Sequence, residues 1–298
     1  MSVFEVGLSE AEERLDHYLS ALFPEKSRSG LQKLIREGAV LVNDAPAKKT
    51  GQALHEGDLV DITFPDPAES IVLPEDIPLS ILYEDDALLV VDKPKGMVVH
   101  PACGHFSGTL VNAVMYHCKD SLSGINGELR PGIVHRIDKN TTGSLVVCKT
   151  DEAHRSLAEQ LKEHTIKRRY VGLVVGVVKE DSGVIDLPIG RDRKNRKRMA
   201  VCPGGKEAVT EFTVLKRFPK TTYMEFHLRT GRTHQIRVHM AAQGHPLYGD
   251  EVYGREEKGL AGQTLHAETL GFLHPVTGVY MEFHAPLPAY FSKLLSNG

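Results

Sequence analysis

The stretch from Pro65 to Pro78 constrains the chain most. It holds prolines at 65, 67, 74 and 78, with acidic residues between them. Proline fixes φ and has no amide proton to give a sheet, so such a stretch stays extended and joins units rather than building one. It divides the 298 residues into a small first unit, 1–65, a proline-rich linker, 66–78, and a larger second unit, 79–298. A chain of this length agrees with two domains.

The first unit reads as two helices followed by strands. Leu15, Leu19 and Leu22 recur at helical spacing, and Pro24 ends the run. Ser27 or Ser29 caps a second helix carrying Leu31, Leu34 and Ile35, with Gly38 at its C-terminal cap. Val40-Leu41-Val42 reads as a strand, and Gly57-Asp58 as a turn into a strand over 59–64. Between residues 26 and 49 the local net charge is +4. Charge alone fits a solvated helix face as readily as a binding surface. The order of elements, with Arg14-Leu15-Asp16, Ser27-Arg28-Ser29, Gly38, Val42-Asn43 and Gly57-Asp58, resembles the alpha-L RNA-binding domain of the ribosomal small-subunit protein four type. That resemblance spans about residues 13 to 65 and implies RNA contact through Arg28, Lys33, Arg36 and Lys48. Glu10, Glu12 and Glu13 make the start acidic, which confines the contact to the second helix and nearby loops.

In the second unit, Ala87–Val91, Ser144–Cys148 and Tyr170–Val178 read as strands, and Thr150 caps a helix carrying Leu157 and Leu161. Met224, Phe226 and Leu228 alternate with Glu225, His227 and Arg229, as on a half-buried strand. Strands outnumber helices, so the expected class is α+β, with a mainly antiparallel mixed sheet and flanking helices. In Gly132-Ile133-Val134-His135-Arg136-Ile137-Asp138-Lys139-Asn140-Thr141-Thr142-Gly143, a strand is expected to deliver Asp138 to a turn, between Arg136 and Lys139. A carboxylate held beside cations stays ionised and can serve as nucleophile or base. An Asx-turn with no chemistry fits the same residues.

This segment is similar to the His-Arg-Leu-Asp-x-x-Thr-Ser-Gly motif of the RluA/RluD-type pseudouridine synthases, with Ile137 for Leu and Thr142 for Ser. The similarity continues through Asp92–Pro101, Arg169–Val174, Thr230–His239 and Leu265–Ala267, across nearly all of 79–290. The resemblance implies that Asp138 is the catalytic aspartate and Arg237 the basic residue paired with it. It implies that Tyr170 lies against the target base and that Arg136 helps displace that base from its stack. Read singly, Tyr170 is also a core strand aromatic and Arg237 a surface helix residue.

The same resemblance implies a cofactor-free isomerisation. The uridine flips out, the N1 bond to C1′ breaks, the uracil turns and C5 bonds to C1′. Asp138 either attacks C1′ or takes the 2′ proton. The RluD-like form implies large-subunit ribosomal RNA, free or in a ribosomal particle, as partner, and a monomeric enzyme. A non-catalytic RNA-binding assembly factor and a related synthase acting on transfer RNA are the competing readings.

The net charge is −3, so an RNA surface has to come from local segments. One is Arg191–Arg198, with a local charge of +5 that includes Arg193, Arg196 and Arg198; another is Lys167-Arg168-Arg169. His234 and His239 are five apart with no glutamate following His234, which disfavours a metal helix. Gly204-Gly205-Lys206 lacks the rest of a phosphate loop. Four cysteines without a C-x-x-C pair, no leader-like start and no long apolar run point to the cytoplasm and away from membranes.

Overall fold

A computed structural model describes residues 2–24, 26–64, 72–101, 106–119, 121–125, 130–195 and 198–296. They form two compact units, Met1–Glu69 and Ser70–Gly298.

The first unit contains β1 (Ser2–Glu5), α1 (Leu15–Leu22), α2 (Arg28–Arg36), β2 (Val40–Val42), β3 (Ala45–Pro46) and β4 (Leu59–Ile62). The strands pair antiparallel in the order β1-β4-β2-β3. Ser27 caps α2 by accepting the Gly30 N–H. Leu15 and Leu19 of α1 and Leu31 and Ile35 of α2 bury against Val40, Val60 and Ile62. Asp16, fully buried, is the polar pin between the helices. Its carboxylate accepts from Arg14 Nε at 3.0 Å, Arg28 Nη2 at 2.8 Å and Gln32 Nε2 at 2.7 Å. Burial opposes the charge, but these three donors outweigh it and hold Asp16 well below the usual carboxylate range.

The second unit contains β5 (Ser80–Glu84), β6 (Leu88–Lys93), α3 (Leu110–Cys118), β7 (Thr142–Cys148), α4 (Asp151–Lys162), β8 (Lys167–Val175), β9 (Ser182–Asp186), β10 (Ile189–Arg191), β11 (Met199–Val201), β12 (Val209–Arg217), β13 (Thr221–Leu228), α5 (Gln235–Ala242), β14 (Leu265–Leu273), β15 (Tyr280–His284) and α6 (Ala289–Ser296). Among the described residues nine strands make one sheet, in the order β5-β6-β7-β14-β8-β13-β12-β9, with β15 pairing to β14. Every pairing in it is antiparallel except β7 with β14. The fold is the α+β class expected.

Strand alternation sends side chains to two cores. Leu89, Val91, Leu145, Val147 and Phe226 pack with α3 and α5, while Leu88, Val90, Val146 and Cys148 pack with α4. The hairpin β10–β11 stands apart from the sheet and ends in the basic loop. Residues 66–71 of the proline-rich stretch lie outside the described residues. From Val72 the chain packs on α3: Val72 is in the core, and Asn112 Nδ2 donates to the Leu73 carbonyl at 2.8 Å.

Asp16→Ala removes the shared acceptor of α1 and α2. The first unit should lose about 1.5–3 kcal/mol, the range for hydrogen bonds to a charged group. Hydrogen exchange should speed up in α1 and α2 and stay unchanged in β6 to β8.

Candidate active site

β7 builds the site. One edge of it pairs with β6 along its length, and the other pairs with β14 at Thr142 and Gly143 alone. The rest of that second edge is filled from residues 132–135. Cys148 N–H donates to the Gly132 carbonyl at 2.8 Å, Ile133 bridges Val147, and Val146 N–H donates to His135 Nε2 at 3.2 Å. A side chain, His135, therefore ends the ladder. The expected strand leading to Asp138 is absent, because after His135 the backbone leaves the sheet as irregular chain.

Asp138 sits in a tight turn in which Thr141 N–H donates to its carbonyl at 3.0 Å. The turn is clamped from beneath by Lys93, fully buried, whose Nζ donates to the carbonyls of Lys139 (3.1 Å), Met97 (2.8 Å) and Pro94 (2.9 Å). Burial pushes the Lys93 ammonium down to about 7, against the pull of Asp138 and Asp92. Gln263 Nε2 donates to Thr141 Oγ1 at 3.0 Å. At Gly143 a Cβ would collide with the Ala267 backbone, so glycine is what lets β14 close on β7 beside the turn.

The Asp138 carboxylate faces α5. Arg237 Nη1 donates to its Oδ2 at 3.0 Å, and His234 Nε2 lies 3.8 Å from its Oδ1. Arg237 is 5% exposed, and its fork is fixed on Asp250, through Nε at 2.7 Å and Nη2 at 2.9 Å. Burial would raise the fully buried Asp250, but the Arg237 pair outweighs it and holds that carboxyl below its ordinary value. His234, in the left-handed region at φ 58, caps α5. Its Nδ1 meets the Tyr253 hydroxyl at 2.8 Å, and that oxygen also accepts the Met199 N–H at 2.9 Å. The Asp138 carboxylate facing Nε2 favours the neutral tautomer with its proton on Nε2, and Nδ1 then accepts from the phenol. The Tyr253 ring lies under two guanidiniums, those of Arg237 and Arg198, each 5.1 Å from its centroid.

Tyr170, on β8 and 7% exposed, shares a cleft of about 530 Å³ with Asp138. Its phenol is raised by burial, opposed by Arg168 and helped by Asp138, so it keeps its proton at neutral pH. Arg136 is exposed at the cleft wall, its Nη1 3.4 Å from Nε2 of the buried His100. Burial and the charges of Arg136 and Arg130 push His100 down to about 4, leaving it a neutral acceptor. The lining also includes Lys162, Arg168, Arg232 and Arg237, and Asp138 is its one carboxylate among the described residues. No cluster of three or more His, Cys, Asp or Glu with metal-binding geometry occurs among the described residues.

A model of the RNA pseudouridylate synthase family matches residues 87–242, more than half of the chain, and an S4 domain model matches 13–60. The chain belongs to the RNA pseudouridylate synthase family. It is 51% identical to an RNA pseudouridine synthase of Bacillus subtilis (strain 168), over 100% of this chain and 98% of the relative. It is 47% identical to the ribosomal large subunit pseudouridine synthase D of Zymomonas mobilis, over 92% of this chain and 90% of the relative. The protein of that same name in Pseudomonas aeruginosa is 45% identical over 98% and 93%. The solved structure of human RNA pseudouridylate synthase domain containing 1 shares the fold, with a TM-score of 0.57 at 24% identity, covering 78% of this chain and 97% of that one.

In this synthase the basic segments are divided by local geometry. Lys167 is on Glu282 at 2.9 Å and Arg169 is held by Glu225 and Glu268, while Arg168 turns into the cleft with Tyr170. Arg193 is exposed in the β10–β11 loop, Arg196 lies outside the described residues, and Arg198 folds back over Tyr253. In the first unit Lys33, Arg36 and Lys48 are exposed, and Arg28 is half-exposed on Asp16. Sequence reasoning missed Asp250 and Tyr253, which follow Arg237 by 13 and 16 residues and meet it through the fold. No helix among the described residues is long and apolar enough to cross a membrane.

The neutral His135 ring accepts the Val146 N–H, and burial, with the nearby Arg168 charge, pushes that ring from 6.5 down to about 3. The unfolded chain therefore takes this proton first as pH falls. The stability His135 contributes is complete above pH 6.5 and declines as pH drops toward 3. His135→Gln keeps an acceptor and removes the titration. The thermal midpoint of the second unit should fall between about pH 6.5 and 5 in the parent and fall less in His135→Gln. Equal slopes would remove His135 from the acid response.

Proposed function

We propose that this synthase isomerises uridines of large-subunit ribosomal RNA in the cytoplasm, acting as a monomer through Asp138. The observation that carries the reading is the Asp138 carboxylate, fixed by Arg237 in a cleft whose other charged lining residues, among those described, are cations. RNA phosphates are drawn to such a cleft, and the reacting sugar then meets one aimed carboxylate. The identity of the synthase D relatives supports the ribosomal substrate.

The base has to leave its stack to reach Asp138. Arg136, at the cleft wall, takes the place of the everted uracil, and Tyr170 receives the ring. Asp138 either bonds to C1′, with N1 departing on the pair of electrons of the broken bond, or removes the 2′ proton as N1 departs. In the first route the uracil turns and C5 gives its electron pair to C1′ as the bond to Asp138 breaks and the carboxylate is restored; in the second, C5 bonds to C1′ of the glycal as C2′ regains the proton from Asp138. In both, the proton lost from C5 is matched by one gained at N1, so atoms and charge balance with no cofactor. Arg237, itself anchored by Asp250, holds the Asp138 carboxylate aimed.

Mapping pseudouridines in RNA from cells with and without this chain tests the substrate. Loss of particular sites in large-subunit ribosomal RNA is expected, and loss confined to transfer RNA would overturn the ribosomal reading. Asp138→Asn should abolish single-turnover conversion, by a factor of 10² or more as is typical of a lost base or nucleophile, with an unchanged circular dichroism spectrum. Near-parental conversion would overturn the role of Asp138.

The S4 unit and the catalytic unit, divided within 66–78, are proposed to bind RNA separately. Removing residues 1–68 should then weaken capture of a ribosomal stem-loop and flatten its salt dependence, with the rate at saturating RNA preserved. A slow rate at saturation would mean that the first unit shapes the active site.

A further inference from the structure

Arg168 lacks the counter-group that its neighbours have. It lines the cleft beside Asp138 and Tyr170. Its Nε is buried without a hydrogen-bond partner, and Nη2 makes a long hydrogen bond to the Leu228 carbonyl at 3.4 Å. Among the described residues no carboxylate pairs with it. Arg237 by contrast is held by Asp250 and Asp138, Arg169 by two glutamates, and Arg232 Nε by the Glu207 carbonyl at 2.8 Å. The titratable groups around Arg168 are Tyr170 and His135, neither of them an anion at neutral pH. A guanidinium has five donors and no neutral state, so leaving it desolvated and unpaired is costly unless a ligand completes it.

Position says what that ligand is. Arg168 and Tyr170 share a face of β8, about 6.7 Å apart along the strand. A uracil on Tyr170 with its ribose at Asp138 carries its nearest anion, a backbone phosphate, within reach of the next side chain on that face. Gly231 borders the guanidinium. Its φ lies outside the left-handed region, so the backbone there admits any side chain, yet a Cβ would stand 2.6 Å from Arg168 Nη1.

We propose that Arg168 is the subsite for a phosphodiester flanking the flipped uridine, gripping it through its guanidinium. The proposal rests on the RNA synthase reading above. The test uses the full chain and a ribosomal stem-loop that the parent converts. A parent that converts no ribosomal stem-loop overturns that reading and this proposal together. Single methylphosphonates are placed 5′ or 3′ of the target uridine, or far from it, and binding is measured for parent and Arg168→Met.

Neutralising one flanking phosphate should weaken the parent roughly ten-fold or more and leave Arg168→Met unchanged. Arg168→Met should also lower the salt slope by about 1. Gly231→Ala should weaken the parent, by displacing the guanidinium, and add no loss to Arg168→Met. Additive losses at both flanking phosphates, an unchanged salt slope, or an equal effect of Gly231→Ala in both backgrounds would overturn the proposal.

Discussion

β7 has more edge than β14 covers. The parallel pairing stops after Gly143, and the amides of Val146 and Cys148 still need acceptors inside the fold. Buried amides are paired almost without exception, so another stretch of chain must run beside β7. The segment 132–135 does so, and its last contribution is an imidazole nitrogen rather than a carbonyl. That substitution releases the backbone from strand geometry just ahead of Asp138. Lys93 then ties the released chain, through the Lys139 carbonyl, to its own loop, through the carbonyls of Pro94 and Met97. The reactive carboxylate is thus held as firmly as a strand residue while pointing where a strand residue does not.

Behind the carboxylate the contacts form a connected set. Asp250 fixes Arg237, Arg237 meets Asp138, and Tyr253 supports both Arg237 and His234. Tyr253 also takes the Met199 amide and lies under Arg198, at the root of the basic hairpin. The hairpin root and His234 therefore share one tyrosine.

Much of this was legible in the chain. Caps at Ser27 and Thr150, the apolar runs at 87–91 and 144–148 and the alternation at 224–228 all correspond to elements with those roles. These are local signals, set by spacing and by single side chains. The approach to Asp138 read as a strand because Ile133, Val134 and Ile137 are β-formers, and the edge geometry that forbids it is tertiary. The strand period would have separated Lys167 and Arg169 from Arg168, had the pairing been known. Asp250 and Lys93 carry no local signal, since an Asp after glycine and a Lys before proline are ordinary turn residues in the sequence alone.

Arg237 lies between two carboxylates, and the three groups at rest sum to one negative charge. In either of the routes proposed for Asp138 it surrenders its charge, to carbon or to a proton. What stays behind is Arg237 bidentate on Asp250, an ion pair already complete and already desolvated. The guanidinium is never stranded in the interior at the midpoint of the reaction, which would cost several kcal/mol for a lone buried charge. The anionic excess sits on the reacting side alone, so the pair left behind is neutral whichever route is taken.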